Sequence, residues 1–182
     1  LLSAVTRASD AGVVIVVSAG NDGATTDPSL DPDQPDPFAS SLLQAGGANV
    51  IIVGSNDATG QFSDFSNRAG ASQGSFLTAL GERLCCVYQD GQLFVETTNG
   101  QQFVTLFSGT SFSAPQVAGA VALLAQAFPN LTGSEIVEIL LKEVRARILA
   151  PDAVFFPGIG HHLEGHPCSL QGVHQQHAVL KE

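Results

Sequence analysis

Apolar residues fall into a few runs separated by polar, glycine-rich and proline-rich segments. Val13 to Val17, inside GVVIVVSAGNDG, and Val50 to Val53, inside VIIVG, are unbroken and mostly β-branched. Such runs fit parallel strands covered on both faces, the first ending in a glycine-containing turn. The stretch FSGTSFSAPQVAGAVALLAQAFP, from Phe107 to Pro129, predicts a helix apolar all round and therefore buried, with only Gln116 and Gln126 polar in its body. Pro115 is read as lying in the first turn of that helix, where a missing N–H is tolerated. LLSAVTRASDAG reads as the end of an earlier helix. Thr132 and Glu135 form a T-x-x-E capping box that opens a later one, with Ile136, Ile139, Leu140 and Val144 on one face. Between Tyr88 and Val95, the Asp90-Gly91 pair predicts a hairpin. Thr25 to Ser41 holds Pro28, Pro32, Pro35 and Pro37 among four aspartates, and is read as a surface loop. The order is strand, long loop, strand, short strands, helix, helix, which is an α/β pattern without internal repeats.

Ser111 stands at the mouth of the long apolar helix, against the positive pole of its dipole and on an element that would hold it rigidly. That makes it a nucleophile candidate, although serines also cap ordinary core helices. Asn21 closes the first strand. In open parallel sheets the carboxyl ends of strands are where sites gather, and its amide is a neutral donor suited to an oxyanion.

SAGN (Ser18 to Asn21) and GTSFSAP (Gly109 to Pro115) together resemble the subtilisin-like serine proteases, the subtilases. The resemblance runs from about Leu1 to about Glu143 and takes in VIIVGSND, FSDFSN and FLTALGE. It implies a three-layer subtilisin-like α/β fold with a mainly parallel sheet. It also implies that Ser111 is the catalytic nucleophile, that Asn21 is the oxyanion-hole donor, and that Ser18, Ala19 and Gly20 form a wall of the substrate-binding pocket. Gln116 occupies a position where many subtilases have a non-catalytic histidine, and Phe112 one where methionine is common. A G-x-S-x-G nucleophile elbow is excluded because Ser113 stands where its last glycine belongs.

A subtilase triad runs Asp, His, Ser, and its first two motifs precede the A-G-N strand. Leu1 lies shortly before that strand and no histidine precedes His161. The expectation is a domain incomplete at its amino-terminal side, with residues 1–145 the carboxyl-terminal portion of the peptidase domain and 146–182 a divergent tail. Its partners would be a polypeptide substrate and the missing amino-terminal part of the same domain. By itself the chain should be inactive. The rival reading is a non-catalytic subtilase relative or an α/β binding module; a dinucleotide site fits poorly, since G-x-G-x-x-G does not follow the strand.

Composition narrows this further. In 182 residues, 44% are hydrophobic and 13% charged, a globular balance, and the formal net charge of -10 argues against nucleic acid as partner. No apolar run reaches the roughly 18 residues of a membrane span. Secretion or a cell-surface location is implied by the resemblance alone. No cofactor and no metal is expected. The aspartates of the Pro-rich loop lack an EF-hand pattern, and Gly165 and Pro167 interrupt the spacing of His162, His166, Cys168, His174 and His177 as zinc ligands. Cys85 and Cys86 lie in an apolar strand-like run, RLCCVY, where buried thiols are expected.

Overall fold

The computed structural model describes residues 1–149 except Cys86, Gly91 and Gly100. The histidine-rich tail and Cys168 lie outside the described residues.

Three parallel strands, β1 (Ile15–Ser18), β2 (Val50–Asn56) and β3 (Phe76–Leu80), form a sheet in the order β1-β2-β3, with Ile15 opposite Val50 and Ile52 opposite Phe76. The central strand is why the β-branched run matters: Val50, Ile51, Ile52 and Val53 are all 0% exposed. Alternation then sends Val50 and Ile52 to one face and Ile51 and Val53 to the other. On the first face they meet Val17 of β1 and Ala39 and Leu42 of helix α2 (Pro37–Gly46), with Val5 of helix α1 (Leu2–Asp10) packed alongside. On the second they meet Val117, Val137 and Leu141 of α3 (Thr110–Ala127) and α4 (Gly133–Leu149). Helices on both faces of a parallel sheet give three layers, as expected.

Between β3 and α3 runs a ribbon of short antiparallel pairs: β4 (Leu84–Cys85) with β9 (Leu106–Phe107), β5 (Tyr88–Gln89) with β6 (Gln92–Leu93), and β7 (Glu96–Thr98) with β8 (Gln101–Phe103). The D-G hairpin is the β5–β6 pair, with Asp90 at φ +51°. The capping box also forms, since Thr132 N–H donates to Glu135 Oε2 at 2.7 Å and Glu135 N–H to Thr132 Oγ1 at 3.3 Å. Ile136, Val137 and Leu141 of α4 are buried and Ile139 and Leu140 half-buried, while the side chain of Val144 lies outside the described residues.

Four expectations need correction. The irregular loop ends at Asp36 rather than Ser41, because Pro37 is the first residue of α2 and Asp36 Oδ1 accepts from Phe38 N–H at 2.7 Å. Proline at that position costs no helical hydrogen bond. Pro115 lies inside α3, well past its start at Thr110, so the helical N–H that would have reached the Ser111 carbonyl is absent. Helix α3 is not buried all round: Val117 and Ser113 are covered by the sheet, whereas Leu123 is 53% exposed on a face that no described element covers. Cys85 is exposed and disulfide-bonded rather than a buried thiol.

Asn67, 1% exposed, ties the loop after β2 to the turn after β1. Its Oδ1 accepts from Asp22 N–H at 2.6 Å, its Nδ2 donates to the Gln34 carbonyl at 3.0 Å, and its N–H donates to the Gly20 carbonyl at 3.1 Å. Asn67→Ala removes the side-chain partner of two part-buried backbone groups and should lower the unfolding free energy by about 1 kcal/mol in equilibrium denaturation. At α4, the Thr132 backbone N–H, and then the Thr132 hydroxyl, hold the Glu135 carboxyl below its ordinary value of 4.5. A depressed carboxyl pKa contributes stability that is present above pH 4.5 and lost as pH falls through the lowered value. An NMR titration of Glu135 checks this, with the Thr132→Ala protein expected to return it toward 4.5.

Candidate active site

The carboxyl ends of β1 and β3 and the amino end of α3 converge at one edge of the sheet. After Ser18 the chain turns through Ala19, Gly20 (φ +110°) and Asn21. Ala19 is 0% exposed, with its N–H donated to the Val53 carbonyl at 2.8 Å and its carbonyl accepting from Asp36 N–H at 2.7 Å, so it supports the turn from within. Ser18 and Gly20 are half-buried beside it. A side chain at Gly20 would press on Asn67 and Asp36, so the close approach of these loops requires glycine there.

Across from this turn, Gly109 (φ +156°) precedes Thr110 and the exposed Ser111. The two segments are joined at the asparagine. Thr110 N–H donates to Asn21 Oδ1 at 2.9 Å and Thr110 Oγ1 lies 3.0 Å from the same oxygen. A carbonyl oxygen accepts and an amide nitrogen does not, so this pair fixes which way round the Asn21 amide sits. Nδ2 is left without an acceptor among the described residues, and a Cβ built on Gly109 would lie 3.7 Å from it. The unspent donor therefore faces the Gly109 turn that leads into Ser111. Ser111, second in α3, has an N–H with no partner inside the helix, because the first four N–H groups of any α-helix lack one.

Thr110, 0% exposed, is thus a residue of the site that the sequence reading passed over. Its place next to the candidate nucleophile was the available signal. Gly20 N–H also donates to Thr110 Oγ1 at 3.3 Å. Phe112 packs on Phe107, with ring centroids 5.6 Å apart. Ser18, Ala19, Gly20, Asn21 and Ser111 are all brought to this edge, by one turn and one helix start. No described residue supplies an imidazole, since all five histidines lie at 161 or beyond. Among the described residues no group of three or more histidine, cysteine, aspartate or glutamate side chains could hold a metal ion, and no helix is long and apolar enough to cross a membrane.

Comparison with known proteins covers a longer stretch of the chain and concerns its family and fold. Mycosin-1 of Mycolicibacterium smegmatis is 38% identical over 143 residues, covering 74% of this chain and 31% of the relative. The extracellular protease of Xanthomonas campestris pv. campestris is 31% identical over 140 residues, covering 77% of this chain and 21% of the relative. The chain thus spans about a third or less of the length of these relatives. Among solved structures, MycP1 from the ESX-1 type VII secretion system superimposes with a TM-score of 0.51 and 31% identity, over 74% of this chain and 37% of that one. The self-cleaved protease domain of PatA gives 0.52 and 27%, over 78% and 46%. The sequence pattern of the Subtilase family itself matches residues 1–161, and on that match the chain belongs to the subtilase family.

Proposed function

We propose that this chain is the nucleophile-bearing part of a serine endopeptidase that cleaves polypeptides by acyl transfer. The observation that carries the proposal is the Asn21 amide, oriented by two hydrogen bonds from Thr110 with its Nδ2 unspent beside the turn that presents Ser111. Ser111 Oγ attacks the scissile carbonyl. The oxygen that becomes negative is held by Asn21 Nδ2 and the Ser111 backbone N–H, donors in place before the charge develops. Collapse of this intermediate breaks the scissile C–N bond and releases the protonated amine as the first product, and water then hydrolyses the acyl-serine to a carboxylic acid and the free Ser111 hydroxyl. Ser18 and Gly20 line the pocket beside the scissile bond, and Ala19 supports them.

A serine hydroxyl is a weak nucleophile near neutral pH without a base to take its proton. The base and its orienting carboxylate belong to sequence outside this chain, in an amino-terminal part of the same domain. The uncovered face of α3 and the unpaired outer edge of β1 among the described residues support that reading, because a parallel strand and an apolar helix face are ordinarily covered. Secretion or a cell-surface site is supported by the extracellular protease among the relatives.

The purified 182-residue chain should not react with a fluorophosphonate probe. Stoichiometric labelling at Ser111 would mean that a base is present after all. In the full-length protease, Asn21→Ala should lower kcat by roughly 10²- to 10³-fold with little change in KM, the range known for the same loss in subtilisin. A raised KM with kcat intact would make Asn21 a substrate-binding residue. A full-length protein that neither labels nor cleaves would be a non-catalytic subtilase.

A further inference from the structure

The last residues of β3 and the residue after it offer three consecutive carbonyls to the segment that carries Ser111. Ser113 Oγ donates to the Ala79 carbonyl at 3.0 Å, Gln116 Nε2 to the Leu80 carbonyl at 2.5 Å, and Gly109 N–H to the Gly81 carbonyl at 2.8 Å. The donors flank the nucleophile on both sides in sequence. Gly81 is itself fixed to the central strand, its N–H donating to the Asn56 carbonyl at 3.0 Å. We infer that Ser113 and Gln116 are positioning residues for Ser111, hanging the nucleophile turn on the end of β3. The inference rests on Ser111 being the nucleophile.

Each fastening has a distinct physical character. Ser113 is 0% exposed, and its hydroxyl is spent on the strand end beneath the turn. Gln116 is exposed, yet its Nε2 also donates to the Phe112 carbonyl at 2.9 Å. One amide nitrogen, with two N–H groups, thus bridges the first turn of α3 to the strand. This requires a donor and no charge, which an amide supplies and a carboxylate of the same shape does not. Gly81 completes the arrangement by having no side chain. A methyl there would run into the Ser113 hydroxyl, and would lie 2.6 Å from Ser55 Oγ and 2.8 Å from the Gly109 carbonyl. Such separations are shorter than non-bonded contacts permit, so the turn approaches the strand end as closely as it does only over glycine.

The geometry places these three bonds within a few residues of Ser111 Oγ, where small displacements matter most. Misplacing a reacting atom by about 1 Å costs on the order of 10²-fold in rate. An exposed glutamine contributes little to global stability, because surface substitutions seldom move it much. Rate and stability should therefore separate at Gln116, and fall together at the buried Ser113.

The test uses the full-length protease and four variants: Gln116→Glu, Gln116→His, Ser113→Ala, and Gln126→Glu as a control on the same helix. Gln116→Glu should lower kcat, and the rate at which a fluorophosphonate labels Ser111, by about 10- to 100-fold with KM within about two-fold and the thermal midpoint unmoved. Gln116→His keeps one N–H donor and should recover part of that loss. Ser113→Ala should reduce both rate and midpoint, and Gln126→Glu neither. Undiminished kcat and labelling in Gln116→Glu would overturn the inference, as would a rate loss matched by a fall in midpoint. If the wild-type protein fails to label, the peptidase reading fails separately and hydrogen exchange decides the positioning role. Faster exchange of amides 109–113 in Gln116→Glu then supports it, and unchanged exchange overturns it.

Discussion

The bond from Thr110 N–H to Asn21 Oδ1, 2.9 Å long, joins two segments far apart in sequence, and the site depends on it. Asparagine offers a donor and an acceptor at the end of one short side chain. Binding the acceptor decides where the donor goes. Because the bond comes from the residue immediately before Ser111, the orientation of the amide and the position of the hydroxyl are set by the same few atoms. The Thr110 hydroxyl, on a residue that is itself 0% exposed, lies 3.0 Å from the same oxygen and reinforces this.

Behind that bond stands a sheet whose interior is unusually simple. β2 contributes four consecutive fully buried residues, shared alternately between the two helical layers. Burying each such side chain is worth roughly 1.5–3 kcal/mol relative to leaving it exposed. A strand so covered has little freedom to shift register, since a slip by one residue would exchange its two faces. Its neighbours inherit that fixity through the parallel pairing, Ser18 opposite Val53 and Asn56 opposite Leu80. The ends of β1 and β3, which carry the two halves of the site, are thereby held at constant separation.

Polar groups in this region are spent rather than left over. Ser55 N–H donates to Ser66 Oγ at 3.0 Å, the Ser55 and Ser63 hydroxyls lie 3.0 Å apart, and all three serines are at most 2% exposed. Hydroxyls buried in this way must be satisfied, and satisfying them selects one arrangement of the loop that follows β2. That loop in turn presents Asn67 to the Gly20–Asp22 turn. Asn21 and Ser111, the exposed residues of the proposed peptidase site, stand beside these satisfied interior groups.

Sequence by itself determined the elements whose pattern is local and strong. β-branched runs gave β1 and β2, D-G the β5–β6 hairpin, and T-x-x-E the start of α4, since each depends on periodicity or turn chemistry within a few residues. Through their resemblance to the subtilases, the two motifs also pointed to Asn21 and Ser111 as candidate site residues. Tertiary structure decided the rest. Pro37 begins α2 because Asp36 is free to cap it, a choice that proline content alone does not reveal. Leu123 is exposed because burial depends on which face of α3 meets the sheet, whereas hydrophobicity was uniform around the helix. Thr110 and Asn67 entered the site only when residues dozens of positions apart came within hydrogen-bond distance. Composition and spacing cannot encode such pairings, because they form through the crossing of loops that the buried sheet brings together.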